Sequence, residues 1–175
     1  MRKIIAVFLF VTLSTTSFAQ VDAYSEDVKK CIKSNGTMAY YEDVIEQMYI
    51  MLQQQFEAEN VPESIWTEVK STKQDAMGEL AQMIVSSYRG HFTHEDVKNM
   101  NTLYASQAGK NMFKKEVLSE GDKVVLNEFY KSDTGQKIMS SQDSMNESMS
   151  KISEMWSGNL YQKAIDLLSE KGYNL

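Results

Sequence analysis

Beyond residue 20, apolar side chains recur at spacings of three and four, and alternating β-branched runs of useful length are missing. That pattern makes amphipathic helices, each with one stripe to bury against a neighbour. Breakers are few: in 175 residues there is one proline, Pro62, and eight glycines. A β-sandwich or barrel of this size needs more turns and more of both residues. The single cysteine, Cys31, excludes an internal disulfide framework and a Cys-based zinc site. The expected fold is all-α: a single-domain bundle of about six or seven helices.

The N-terminus has a different character. Met1-Arg2-Lys3 is a short basic region, and Ile4 to Leu13 are apolar except for Thr12. Ser17 and Ala19 are small residues at the −3 and −1 positions of a cut after Ala19. This three-part pattern reads as a secretory signal peptide over 1–19, followed by one helical domain over 20–175. The apolar run is too short for comfortable bilayer spanning, which takes about 20 residues, so no stable membrane insertion is expected after cleavage. Removing Arg2 and Lys3 with the leader would move the net charge from −6 to −8. Such a charge opposes nonspecific nucleic-acid binding, which relies on clustered cations. The expected location is outside the cytoplasm, the periplasm foremost.

Local signals divide the remainder. A short helix is predicted from Ser25 to Ser34, with Ser25 as its cap and Asn35-Gly36 as its end. Met38, Tyr41, Ile45, Met48, Tyr49, Leu52 and Phe56 mark a second helix. A third is predicted from Pro62 to about Ser87, with a polar interruption at Lys70 to Gln74. Thr93 and Asp96 have capping-box spacing, and Phe92 with Val97 forms a hydrophobic staple, so a fourth helix starts there. Further helices are predicted over 109–118, 122–130 and, as one long stretch, 132–169.

One motif occurs twice. Leu103-Tyr104-Ala105-Ser106-Gln107-Ala108-Gly109 and Phe129-Tyr130-Lys131-Ser132-Asp133-Thr134-Gly135 both read apolar-Tyr-x-Ser-x-x-Gly, so position 129 repeats position 103. Lys110 and Lys137 follow the glycines at slightly different positions. Serine can cap an incoming helix, and glycine in its first turn permits close backbone approach. The pattern therefore predicts a repeated helical corner. A phosphate loop would need a richer glycine signature and a terminal Lys-Ser/Thr.

With Tyr88, His91 to Val97, and Leu103-Tyr104-x-Ser106-x-x-Gly109-Lys110 in view, the chain resembles the domain-of-unknown-function family two-zero-five-nine. The resemblance covers about residues 84–139; Leu103 replaces the family's usual phenylalanine, which Phe129 supplies in the second copy. It implies a small, exported, all-helical bacterial protein and carries no activity, catalytic residue or cofactor.

Chemistry-bearing residues are sparse. His91 and His94 are two ligands at most, fewer than a metal site needs, and no Glu-x-x-His pair exists. A Cys31–histidine dyad has no supporting motif, and no Gly-x-Ser-x-Gly elbow is present. No catalytic residue, metal or cofactor is assigned. Met145, Met149, Ile152 and Trp156 form a narrow stripe, readable as core or as an adaptable partner-binding face. The expected role is a non-enzymatic module binding an unknown protein or peptide. The alternative is a carrier holding a small apolar ligand or lipid between helices.

Overall fold

The structure is a computed structural model that describes residues 23–114 and 117–174. The predicted signal peptide, 1–19, lies outside the described residues, as do residues 115 and 116 of the helix predicted over 109–118. The described residues form helices and no strand. A first helix, α1, covers 23–34. Eight more follow: α2 (Thr37–Gln55), α3 (Glu63–Ser71), α4 (Lys73–His91), α5 (His94–Ala105), α6 (Gln107–Lys114), α7 (Glu120–Lys131), α8 (Asp133–Ser140) and α9 (Gln142–Glu170). A single 3₁₀ turn, Glu57–Glu59, leads from α2 towards Pro62. The total exceeds the expected six or seven because two predicted helices are each divided in two.

The third predicted helix breaks at Thr72, whose hydroxyl donates to the carbonyl of Val69 (2.8 Å). Its torsions remain right-handed helical, φ −73° and ψ −10°, so the break has no glycine or proline to announce it. Pro62 caps α3 from outside, just before its predicted place, and α4 runs through Gly90 to His91. The long C-terminal stretch divides at Ser141, whereas Gly158 lies inside an unbroken α9. α1 begins before Ser25, which is inside the helix and not its cap. Gly36 ends that helix with φ +83°, a left-handed conformation that side chains rarely adopt.

The main core lies between α1, α2, α3, α4 and α9, with α5 closing one side. Val28, Cys31, Ile32, Ile45, Leu52, Val69, Leu80, Ile84, Val97 and Leu168 are fully buried within it. α9 lies along α4 and reaches α3 and α8. Trp156 anchors this seam, its indole N–H donating to the Ala76 carbonyl (2.8 Å). α1 docks through polar side chains as well. The Tyr24 hydroxyl donates to the Phe92 carbonyl (3.1 Å), and Asn101 Nδ2 donates to the Asp27 carbonyl (2.8 Å). A smaller cluster of Leu103, Ala108 and Leu126 joins α5 and α6 to α7. No helix among the described residues is long and apolar enough to cross a membrane.

Candidate functional site

The segment from Thr93 to Ser140 is built as two consecutive helical hairpins. At the offset that relates 103 to 129, the bounds of α5 and α6 become those of α7 and α8. Each hairpin opens with the same chemistry. Thr93 accepts from the backbone N–H of Asp96, and the Asp96 carboxylate accepts from the backbone N–H of Thr93 (2.9 Å). Ser119 and Asp122 form the same reciprocal box, with the returning bond at 3.0 Å. The helices predicted over 109–118 and 122–130 leave Ser119-Glu120-Gly121 as a break that ends the first of them. The segment is a helix start, and Gly121 lies in the first turn.

Each hairpin also bends in the same way. Ser106 Oγ accepts from the Gly109 N–H (3.1 Å) and donates to the Leu103 carbonyl (2.6 Å). Ser132 Oγ accepts from the Gly135 N–H (3.2 Å) and donates to the Phe129 carbonyl (2.6 Å). A side chain on either glycine would collide with backbone. A Cβ on Gly109 would lie 2.2 Å from Leu103 O, and one on Gly135 would lie 2.2 Å from Phe129 O. Tyr104 and Tyr130 stack edge-on against Phe113 and Phe129 respectively.

The two boxes are tied together crosswise. Lys137 on α8 donates to Asp96 on α5 (2.5 Å), while Asn111 on α6 donates to Asp122 on α7 (3.1 Å). Residues 111 and 137 hold equivalent places in the two hairpins, as do Asp96 and Asp122. Each hairpin thus sends its second helix to the box of the other, the exchange expected of a local two-fold axis. Thr134 adds a bond to Asp96 (3.0 Å) and itself accepts from Asn99 (3.1 Å).

Electrostatics follow from this frame. Asp96 is only 5% exposed. Burial pushes its carboxyl up, but bonds from Lys137, Thr93 and Thr134 outweigh that and bring it down to about 2. Bonds from the Ser119 hydroxyl and backbone and from Asn111 hold Asp122 below the usual carboxylate range.

A groove of about 400 Å³, open to solvent, lies between α5 and α7. Its lining consists of four pairs at that same offset: Asn99 with Val125, Thr102 with Glu128, Leu103 with Phe129, and Ser106 with Ser132. Leu103 and Phe129 form an apolar floor; Asn99, Thr102 and Glu128 supply hydrogen-bonding groups around it. The motif residues Leu103, Ser106, Phe129 and Ser132 singled out from sequence thus meet in one place. Tyr104 and Tyr130 are on the same two helices but outside the lining, and Gly109 and Gly135 are in α6 and α8. Phe92, Thr93, Asp96 and Val97 fix the start of α5, with Phe92 and Val97 buried in the main core. Sequence reading missed Asn99, Thr102, Val125 and Glu128. Their signal was the repeat offset, carried by position alone, since the residue types differ.

The methionine stripe lies elsewhere. Ile152 and Trp156 are buried, and Met145 and Met149 are partly buried against the main core. Met145 accepts a hydrogen bond at sulfur from Ser87 (3.5 Å). Met145 and Trp156 border separate clefts of about 200 and 300 Å³. The two histidines turn to different partners: His91 to Ser87 O and Ser144, His94 to Asp27 (2.7 Å). Among the described residues, no group of three or more His, Cys, Asp or Glu could hold a metal ion. Cys31 is buried, and burial pushes its thiol up to about 12 despite an opposing hydrogen bond from Tyr88. Burial likewise raises the phenols of Tyr88 and Tyr104.

No protein-family model, curated protein or solved structure matches the chain.

Proposed function

We propose that this chain is an exported, non-enzymatic binding module that holds a protein or peptide segment in the groove between α5 and α7. The observation that carries the reading is the groove itself: an apolar floor with hydroxyl, amide and carboxylate groups around it, open to solvent. Binding sites combine these two kinds of surface, apolar area for affinity and a few polar groups for orientation. The frame is suited to the task, because both walls are helices locked by paired capping boxes and cross-hairpin bonds. An open groove favours a chain segment over a lipid or other small apolar ligand, which needs enclosure.

The repeated corner is proposed as the device that sets the groove. It places the last turns of α5 and α7, with Leu103 and Phe129, side by side. Export rests on the basic, apolar and small-residue order of the segment 1–19. Membership of the domain-of-unknown-function family two-zero-five-nine is proposed on the quoted motifs and leaves the activity open.

The test is site-specific photocrosslinking in cells, with the reactive group at Thr102. A reproducible adduct that disappears when Val125→Trp fills the groove supports the reading. Either no adduct or adducts unchanged by Val125→Trp sinks it. The intact mass of the periplasmic form tests export separately: it should lack the segment Met1 to Ala19.

A further inference from the structure

The floor of the groove repeats between the hairpins, but its walls do not. Where α5 carries Lys98, Asn99 and Thr102, the equivalent positions of α7 are Val124, Val125 and Glu128. Val124 is 56% exposed and Val125 42% exposed, so two adjacent valines face water beside the groove. Glu128 is the only charged side chain in the lining, and it has neither a hydrogen-bond nor an ion-pair partner among the described residues. Neither feature serves the fold. Exposed valines add apolar surface without burial, and a carboxylate with no partner among the described residues adds no bond to their packing.

Resting on the peptide-binding reading above, we infer that the groove selects a segment with a large apolar side chain next to a lysine or arginine. The apolar group fills the space over Leu103 and Phe129 and extends onto Val125. The cation meets Glu128. The two-fold likeness of the floor would admit a segment in either direction, and the α7 lining, with Val125 and Glu128 where α5 has the uncharged polar Asn99 and Thr102, sets one. The acidic excess of the whole chain, 24 acids against 18 bases, draws the same kind of partner by long-range attraction.

Three blocked hexapeptides test this on the chain lacking segment 1–19: Gly-Ser-X-Y-Ser-Gly with X-Y as Phe-Lys, Phe-Glu or Ser-Lys. Binding is read from backbone amide shifts in NMR titrations. The Phe-Lys peptide is expected to shift Leu103, Phe129 and Ser132 and to bind about three-fold more tightly than Phe-Glu, the scale of one exposed ion pair. Glu128→Gln, at an exposed position, is expected to abolish that preference. Equal affinities for Phe-Lys and Phe-Glu, or a preference that survives Glu128→Gln, overturn the charge selection and leave peptide binding standing. Equal affinities for Phe-Lys and Ser-Lys overturn the apolar selection. If no peptide moves the groove amides, the peptide-binding reading fails with the inference.

Discussion

Lys137 reaches from α8 to the carboxylate of Asp96 at the start of α5, bonding one hairpin's second helix to the other's capping box (2.5 Å). Asp96 thereby does two tasks. It satisfies the free N–H of Thr93, and it holds the hairpins together. Asp96→Ala removes the returning half of the capping box and leaves both Lys137 and Thr134 without their acceptor. The expected loss is about 3 kcal/mol, above the typical ~1 kcal/mol of a cap alone. Lys137→Met is expected to cost about 1 kcal/mol, since the lysine is partly solvated. Urea denaturation of both single variants and the double variant gives the coupling. If the two effects add, the bond makes no net contribution.

The depressed Asp96 carboxyl gives this contribution a pH dependence. Its folded value, about 2, lies below that of the unfolded chain. The unfolded state therefore takes up the proton first as pH falls. The stability is fully present above the unfolded value, about 3.9, and is lost as pH falls from about 4 to about 2. The stability difference between the native chain and Asp96→Asn is expected to shrink across that window. A difference that is flat from pH 5 to pH 2 would contradict the assignment.

Four helical glycines divide into two sets with opposite signs. Gly109 and Gly135 have backbone where a Cβ would go, so alanine at either forces the corner open. The expected cost is about 3 kcal/mol, at the upper end for overpacking because backbone must move. Gly78 and Gly158 have nothing within 4 Å of that position and sit inside helices. Alanine there is expected to stabilise by about 1 kcal/mol. Thermal or urea midpoints of the four variants check the signs, and destabilisation by Gly158→Ala would be the telling failure.

These contrasts show what a linear reading can reach. The Thr93–Asp96 box was legible because Phe92 and Val97 flank it with apolar periodicity. The Ser119–Asp122 box has the same chemistry, but Glu120-Gly121 looks like a terminator, and Lys123 stands where Val97 marks the core. Thr72 divides two helices through its own hydroxyl while keeping near-helical torsions, which no composition signal records. The corner repeat was visible from the apolar-Tyr pair to the glycine. Its extension back to Thr93 and Ser119 was not, because few identities carry it. The groove needed the fold: only the packing of the two hairpins brings Asn99, Thr102, Val125 and Glu128 around one groove.

Cys31 is expected to be inert in the native protein. It is fully buried, and its thiol is pushed up to about 12, so the reactive thiolate is scarce at neutral pH. Labelling with a maleimide, followed by intact mass, should show little modification in buffer and complete modification in guanidinium chloride. Rapid native labelling would mean that α1 opens readily from the bundle.

The methionine stripe of α9 can be assigned by stability alone. A partner-binding face would tolerate truncation in the free protein, whereas a core seam would not. Trp156 is nearly inaccessible, and its indole N–H is held by the Ala76 carbonyl (2.8 Å). Trp156→Phe leaves that carbonyl without its side-chain donor and opens space beside it, with an expected cost of about 2 kcal/mol. Met149→Ala, at a partly buried position, should cost about 1 kcal/mol, below the range for a fully buried methionine. Met155→Ala is the control. That side chain is 54% exposed on the same helix, and its loss should change stability by less than about 0.5 kcal/mol. The order Trp156, Met149, Met155 marks the stripe as the seam between α9 and α4. Equal, negligible effects at all three would contradict that assignment and leave the stripe free for a partner.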